Sequence, residues 1–225
     1  MPKEIEIAIN LEGGGQVSGL LIAPEDARAC YVVAHGAGVG MRHKFIAAAA
    51  HGLAERGVAT LRYQFPYMEK GGKRPDPPRV AHAAVRAAVA EAAVLLPDLP
   101  LLAGGKSFGA RMTSQAQAEA PLAGVRGLAF LGFPLHPPGK ASDDRAEHLS
   151  RVRIPMLFLQ GTRDDFAALD YLEPLVKRLG TVATLRLFED ADHSFRVPAK
   201  SGRKDADVLA ELLDVLAAWA DAVSS

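Results

Sequence analysis

The stretch that decides the fold is residues 101–111, which read Leu-Leu-Ala-Gly-Gly-Lys-Ser-Phe-Gly-Ala-Arg. Its first half is a short apolar run after Pro100, and such a run predicts a buried strand. Residues 111–118 have the composition of a helix, so the chain passes directly from strand to helix. Between the two, residues 105–109 match the pattern G-x-S-x-G, with Ser107 at the centre. In a strand-to-helix context this pattern predicts a sharp turn that presents a reactive serine hydroxyl.

Such a turn makes physical demands that these residues meet. The serine must adopt a φ angle that is unfavourable for a residue with a Cβ atom. Gly105 and Gly109 are small, as they must be if the helix folds straight back past the strand. The helix directs its free N–H groups and positive dipole end toward the serine. An ordinary glycine-rich turn without chemistry is the alternative, and partners for Ser107 decide between the two.

The same residues also resemble the end of a phosphate-binding loop, because Gly-Lys-Ser closes the pattern G-x-x-x-x-G-K-[ST]. That pattern requires glycine at position 100, where this chain has Pro100. The intervening residues are an apolar strand and not a phosphate-cradling loop. The sequence therefore argues against a phosphate-binding loop.

The composition suits one soluble α/β domain over residues 1–225. The chain is 49% hydrophobic, and its 26 basic and 26 acidic residues give no reason to expect nucleic acid or an anionic membrane as a partner. Cys30 is the only cysteine, so no intrachain disulfide forms. The first residues lack the apolar core of a signal peptide. The most apolar long segment, residues 80–96, is too short and too charged to span a membrane, so we expect a cytoplasmic protein.

Strands alternate with helices from residue 30 onward, which predicts an α/β fold with a mostly parallel central sheet and helices on both faces. Two earlier strands, at residues 4–9 and 17–22, are predicted to form an antiparallel hairpin. The segment 67–78 is interpreted as a surface excursion and the segment 133–151 as a short cap over a pocket. Further strands are predicted at residues 30–34, 58–63, 125–131, 154–160 and 183–188, and further helices at residues 44–57, 80–96, 169–179 and 205–223.

Ser107 needs a general base and an acid that orients the base. Among seven histidines, only His193 follows the last strand in a short polar loop. A parallel sheet places that loop at its carboxyl edge, where the turn at Ser107 also lies. Asp164, in the turn after the preceding strand, is the predicted acid. Asp165 is its rival, and the G-x-x-D spacing favours Asp164.

Attack on an acyl group also requires backbone donors for the oxyanion. We expect these from the N–H of Phe108, directly after the nucleophile, and from the N–H of Ala37 in the His-Gly-Ala-Gly loop after the strand at residues 30–34. His35 is interpreted as a structural residue of that loop and not as a base.

Three side chains are expected to contact substrate: Arg111, Tyr63 and Phe133. For Arg111 two interpretations stay open, a contact with a substrate anion or an ion pair with a nearby carboxylate. Lys106 is interpreted as solvated. No histidine–carboxylate cluster has the spacing of metal ligands, and neither a metal nor a cofactor is expected.

These stretches together resemble an α/β-hydrolase of the dienelactone-hydrolase-like kind, with the chain order Ser107, Asp164, His193. The resemblance is closest to the hydrolase-like family of testis-expressed and NSL-complex regulatory-subunit proteins and their bacterial relatives. It implies an α/β-hydrolase fold with a minimal cap. Dienelactone hydrolases use a cysteine nucleophile where this chain has serine, so their substrate does not carry over. The resemblance rests on residues 35–38, 62–67, 105–111, 161–164 and 192–195.

Two hypotheses of function remain open at this point. The first is a serine hydrolase that cleaves a small ester or thioester, with a small-molecule acyl substrate. The second is a non-catalytic interaction or scaffold protein that keeps the fold, since the resemblance includes subunits of complexes. Under either hypothesis the chain could form a homodimer or bind a protein partner.

Overall fold

The computed structural model describes residues 2–224. Eight strands form the sheet: β1 (Glu4–Asn10), β2 (Gln16–Ile22), β3 (Ala29–Ala34), β4 (Val58–Tyr63), β5 (Leu101–Lys106), β6 (Val125–Leu131), β7 (Met156–Gly161) and β8 (Ala183–Phe188). The α-helices are α1 (Lys44–Ala54), α2 (Pro66–Glu69), α3 (Pro78–Leu95), α4 (Phe108–Glu119), α5 (Leu169–Leu179) and α6 (Asp205–Ser224).

All eight strands belong to one sheet in the order β1-β2-β4-β3-β5-β6-β7-β8. β2 pairs antiparallel with both β1 and β4, and every later neighbour pair, from β4 to β8, is parallel. The predicted mostly parallel sheet and its antiparallel hairpin are confirmed. Because parallel strands share one carboxyl edge, the loops after β3, β5, β7 and β8 meet there.

Helices cover both faces of this sheet, as predicted. Ile46 of α1 and Leu212 of α6 pack in the hydrophobic core on one face. Ala84 of α3, Met112 of α4 and Leu172 of α5 pack in the core on the other face. The central strands are buried on both faces, which explains why they read as continuous apolar runs. No helix within residues 2–224 is long and apolar enough to cross a bilayer.

The irregular segments differ in detail from the sequence prediction. The segment interpreted as a surface excursion begins with the short helix α2, which has Pro66 in its first turn, where a missing N–H costs nothing. The segment between β6 and β7 ends in a 3-10 helix, Asp144–Arg151, whose Leu149 is fully buried. This 3-10 helix is attached to α4 by a bond of 2.8 Å between Ser114 Oγ and His148 Nε2.

Candidate active site

Ser107 lies at the turn between β5 and α4 with φ 52° and ψ −111°, a backbone conformation that residues with a Cβ atom seldom adopt. The turn brings α4 so close to β3 that a Cβ atom on Gly109 would lie 2.6 Å from the Ala34 carbonyl oxygen. A Cβ atom on Gly105 would overlap the same carbonyl. The sharp turn and the need for small neighbours are as predicted, and a strained residue of this kind costs about 1–3 kcal/mol.

The structure brings together the three side chains that the sequence singled out from separate loops. His193 Nε2 lies 2.9 Å from Ser107 Oγ, and His193 Nδ1 lies 2.7 Å from Asp164 Oδ2. Since a carboxylate only accepts, the Nδ1 proton donates to Asp164 and Nε2 is free to accept from the serine hydroxyl. Asp165 is exposed, so the geometry favours Asp164 over its rival.

The Asp164 carboxylate is buried and its hydrogen-bonding capacity is well used. Oδ1 accepts the Phe166 N–H at 2.8 Å, and Oδ2 accepts from the Gln160 side-chain amide as well as from His193. The Gln160 amide oxygen accepts the Phe133 N–H at 2.9 Å. Sequence reasoning missed Gln160. Its signal was present, because it is the one polar side chain in the otherwise apolar strand β7.

The environment of His193 keeps its imidazole neutral at neutral pH. Burial lowers the pKa of His193 most strongly, the hydrogen bond to Asp164 raises it, and the positive charge of Lys106 lowers it again. The Phe166 ring lies against the imidazole, with 4.4 Å between ring centroids. A neutral imidazole in this position can accept a proton from Ser107.

Lys106 is half-buried and its ammonium group bonds another part of the protein, which corrects its interpretation as solvated. Its Nζ donates to the His193 backbone carbonyl at 2.5 Å and lies 5.6 Å from the centre of the Phe195 ring. Burial lowers the pKa of Lys106 to about 8, against the opposing charges of Asp164 and Asp192. The sharp turn at Ser107 directs the Lys106 side chain toward the loop after β8 that carries His193, which we call the histidine loop. Lys106 thereby joins the loops after β5 and β8.

The loop after β3, which carries Ala37, is held by two side chains. The His35 ring bonds the Gly36 carbonyl through Nδ1 at 2.8 Å and accepts the Phe65 N–H through Nε2 at 3.0 Å. Burial lowers the pKa of His35 to about 4, so the ring is neutral and structural, in line with its interpretation. The Tyr67 hydroxyl, which sequence reasoning missed, accepts the Gly38 N–H at 3.1 Å.

Two cavities lie on either side of Ser107, and Ala37, Ser107 and Phe166 line both. The larger one, about 620 Å³, lies between α1, the histidine loop and the start of α6. The smaller one, about 320 Å³, lies between α4 and the two irregular segments and is also lined by Phe108. Within residues 2–224, no three His, Cys, Asp or Glu side chains converge as metal ligands would.

Of the three expected substrate contacts, only Arg111 lines one of the two cavities beside Ser107. Tyr63 is 1% exposed and packs against Phe65, and Phe133 is fully buried against Phe130. Neither side chain lines the two cavities beside Ser107, which corrects the expectation. The physical reason is that large aromatic side chains at strand ends gain more from burial in the core than from exposure at the edge. Residues further along the same segments line the smaller cavity instead.

The fold and the order of side chains along the sheet edge define the class of α/β hydrolases. A family model described as an alpha/beta hydrolase domain matches residues 27–221. The chain therefore belongs to the alpha/beta hydrolase family.

Solved structures of low sequence identity share this fold. They include a dienelactone hydrolase from Anabaena variabilis, with a TM-score of 0.76 at 20% identity, covering 97% of this chain and 96% of that one. An alpha-beta serine hydrolase homologue from Coxiella burnetii gives 0.75 at 19% identity, covering 96% and 97%. A serine hydrolase without a lid from Xanthomonas campestris gives 0.73 at 20% identity, covering 96% and 95%. The resemblance to dienelactone-hydrolase-like proteins is confirmed, whereas kinship with the testis-expressed and NSL-complex proteins stays a prediction.

Proposed function

We propose that this protein is a serine hydrolase that cleaves small esters or thioesters by acyl transfer. The observation that carries the proposal is the continuous hydrogen-bonded series Ser107–His193–Asp164, with distances of 2.9 and 2.7 Å. Each member comes from a different loop at the carboxyl edge of the sheet. Such a series combines a nucleophile, a base within reach of its proton and an acid that fixes the tautomer of the base.

The first half of the proposed reaction forms an acyl-enzyme. Ser107 Oγ bonds to the acyl carbon while His193 Nε2 takes the hydroxyl proton, and the carbonyl electron pair moves onto the oxygen. The N–H groups of Phe108 and Ala37 stabilise that oxyanion. When the tetrahedral intermediate collapses, the bond to the leaving alkoxide or thiolate breaks, and His193 returns its proton to the leaving group.

The second half releases the acid and restores the enzyme. A water molecule gives a proton to His193 as its oxygen bonds to the acyl carbon. Collapse of this second intermediate breaks the bond to Ser107 Oγ, which regains its proton from His193. Asp164 stays ionised throughout and stabilises the imidazolium formed in each half.

The structural relatives support this proposal by their descriptions. They include a serine hydrolase homologue, a serine hydrolase without a lid and an esterase domain from Rhodothermus marinus. The alternative, a non-catalytic scaffold, needs the fold but has no need of a strained serine or of a buried carboxylate beside a histidine. Both features cost stability, and chemistry at Ser107 gives a reason for that cost.

A fluorophosphonate probe tests the proposal directly, because it reacts only with an activated serine. We expect covalent labelling of the wild type and none of Ser107→Ala or His193→Ala, with circular dichroism confirming that all three are folded. The same three proteins are assayed on a panel of short acyl esters. The proposal is contradicted if the folded wild type is not labelled by the probe and hydrolyses none of the esters.

A further inference from the structure

The smaller cavity beside Ser107 contains two arginines that lack acidic partners. Arg111 and Arg145 both line it, and the buried Arg111 Nε has no hydrogen-bond partner among residues 2–224. In the described part of the chain, neither guanidinium forms an ion pair. Most other arginines near α4 or α6 either form an ion pair or donate a hydrogen bond to a backbone carbonyl. A buried cationic donor without a partner is costly, so its presence calls for an explanation.

Two different elements place these side chains. Arg111 lies one turn into α4, and its N–H bonds the Ser107 carbonyl at 3.1 Å. Arg145 belongs to the 3-10 helix that the Ser114–His148 bond holds against α4. Burial lowers the pKa of His148 to about 4, so this link adds no third positive charge at neutral pH.

The charges around the cavity do not cancel. Burial lowers the pKa of Arg111, and the positive charge of Arg145 lowers it further, which shows that the two guanidinium groups repel each other. Asp76 is the one carboxylate among the residues that line the cavity. Its Oδ2 accepts the Tyr67 N–H at 2.9 Å, and it pairs with neither arginine. The three side chains leave a net charge of +1 around a partly enclosed space.

We propose that the smaller cavity binds a carboxylate of the substrate, so that the preferred substrate is an acyl ester or thioester with an anionic arm. The inference rests on the proposed serine hydrolase function and names its substrate class. The planar guanidinium fork suits the two oxygens of a carboxylate. Because Arg111 starts one helical turn from Ser107, the carboxylate lies a few bonds from the acyl carbon, while the larger cavity takes the remainder of the substrate.

Matched esters test the inference by their ratio of kcat/KM. Mono-4-nitrophenyl glutarate carries a free carboxylate, and methyl 4-nitrophenyl glutarate is its neutral counterpart. We expect the wild type to prefer the acid by about 10- to 100-fold, as charge-assisted hydrogen bonds imply. Arg111→Gln and Arg145→Gln should each lose most of that preference. Arg126→Gln, at an exposed arginine of β6, should keep it.

Binding measurements separate failure of the inference from failure of the proposed function. Ser107→Ala leaves both esters intact, so calorimetry compares their affinities without turnover. Tighter binding of the acid, lost in Ser107→Ala/Arg145→Gln, supports the carboxylate site even if no ester is hydrolysed. Ser107-dependent hydrolysis with equal rates and equal affinities for the two esters overturns the inference while leaving the hydrolase in place. Tight binding of phenyl phosphate without a gain for the carboxylate overturns it as well.

Discussion

The two sides of Ser107 differ in how completely their charged groups are partnered. On the histidine side, the Asp164 carboxylate accepts three hydrogen bonds and the Lys106 ammonium donates to the His193 carbonyl. On the arginine side, Arg111 and Arg145 share a cavity and form no ion pair within residues 2–224.

This difference helps to distinguish residues that take part in the reaction from residues that bind the substrate. A group that acts in every turnover has to be held in one geometry, and a fully bonded polar network does that. A group that meets a substrate must keep its bonding capacity free until the substrate arrives. The completeness of the hydrogen bonds is therefore what we expect if, as proposed, the histidine side carries out the chemistry and the arginine side binds the substrate.

The largest effect is expected from a substitution of Asp164, the acid on the histidine side. Asp164→Asn keeps the shape of the side chain but lets the wrong tautomer of His193 form, so kcat should fall by roughly 10⁴-fold, as the corresponding change does in serine proteases. Asp165→Asn is the matched control, because that side chain is exposed and Asp164 already accepts the bond from His193 Nδ1; its kcat should stay near normal. Both are measured on one activated ester. A large loss in Asp165→Asn beside a near-normal Asp164→Asn would reverse the assignment of the acid.

A smaller effect is expected at Gln160, which donates a hydrogen bond to Asp164. Gln160→Leu removes a donor to Asp164 and the acceptor of the Phe133 N–H, both buried. Leaving such groups unpaired costs about 1–3 kcal/mol of folding stability. We expect a lower midpoint of urea denaturation and a kcat reduced by about 10-fold, since the carboxylate is less firmly held. Gln160→Glu tests the position further, because a second carboxylate would repel Asp164.

If Gln160 only fills space, Gln160→Leu will match the wild type in kcat and in denaturation midpoint. That outcome would show that Gln160 does not help to hold Asp164 in place. Gln115→Leu serves as the control, because this half-buried side chain of α4 bonds His82, away from Asp164 and Phe133.

What could be predicted from the sequence also differs between the two sides of Ser107. Ser107, Asp164 and His193 could be located because a parallel sheet fixes which loops share its carboxyl edge, whatever their side chains do. The strained turn was predictable because glycine spacing encodes a close approach of backbone. These properties depend on topology and on backbone geometry, and both leave local signals in the sequence.

Side-chain direction at the strand ends was not predictable. Tyr63 and Phe133 were expected at the pocket, yet the structure buries both. Lys106 was expected in solvent, yet it is half-buried and donates to the His193 carbonyl. Whether a residue at a strand end turns outward or inward depends on what the neighbouring loops offer, which no local pattern records. The proposed contact of Arg111 with a substrate anion likewise depends on the position of Arg145, 34 residues further along the chain.

The smallest expected effect concerns how Lys106 tunes the base. His193 must be neutral to accept the Ser107 proton, so kcat/KM should fall as the pH drops through its pKa. That pKa lies below the ordinary value of 6.5, because burial and the charge of Lys106 lower it more than the hydrogen bond that His193 donates to Asp164 raises it. The wild type should therefore keep its activity at pH 6.5 and lose it only at lower pH.

Lys106→Met removes the positive charge while keeping a long apolar side chain in the same space. Without that charge, the imidazolium form of His193 is less disfavoured and its pKa rises, so the acidic limb of the kcat/KM profile should move to higher pH. The loss of the donor to the His193 carbonyl should also lower kcat, but that loss alone would not displace the limb. Lys177→Met, at an exposed lysine of α5, controls for net charge and should leave the profile in place. An unchanged acidic limb in a folded Lys106→Met would show that Lys106 holds the loop without acting on the charge of the base.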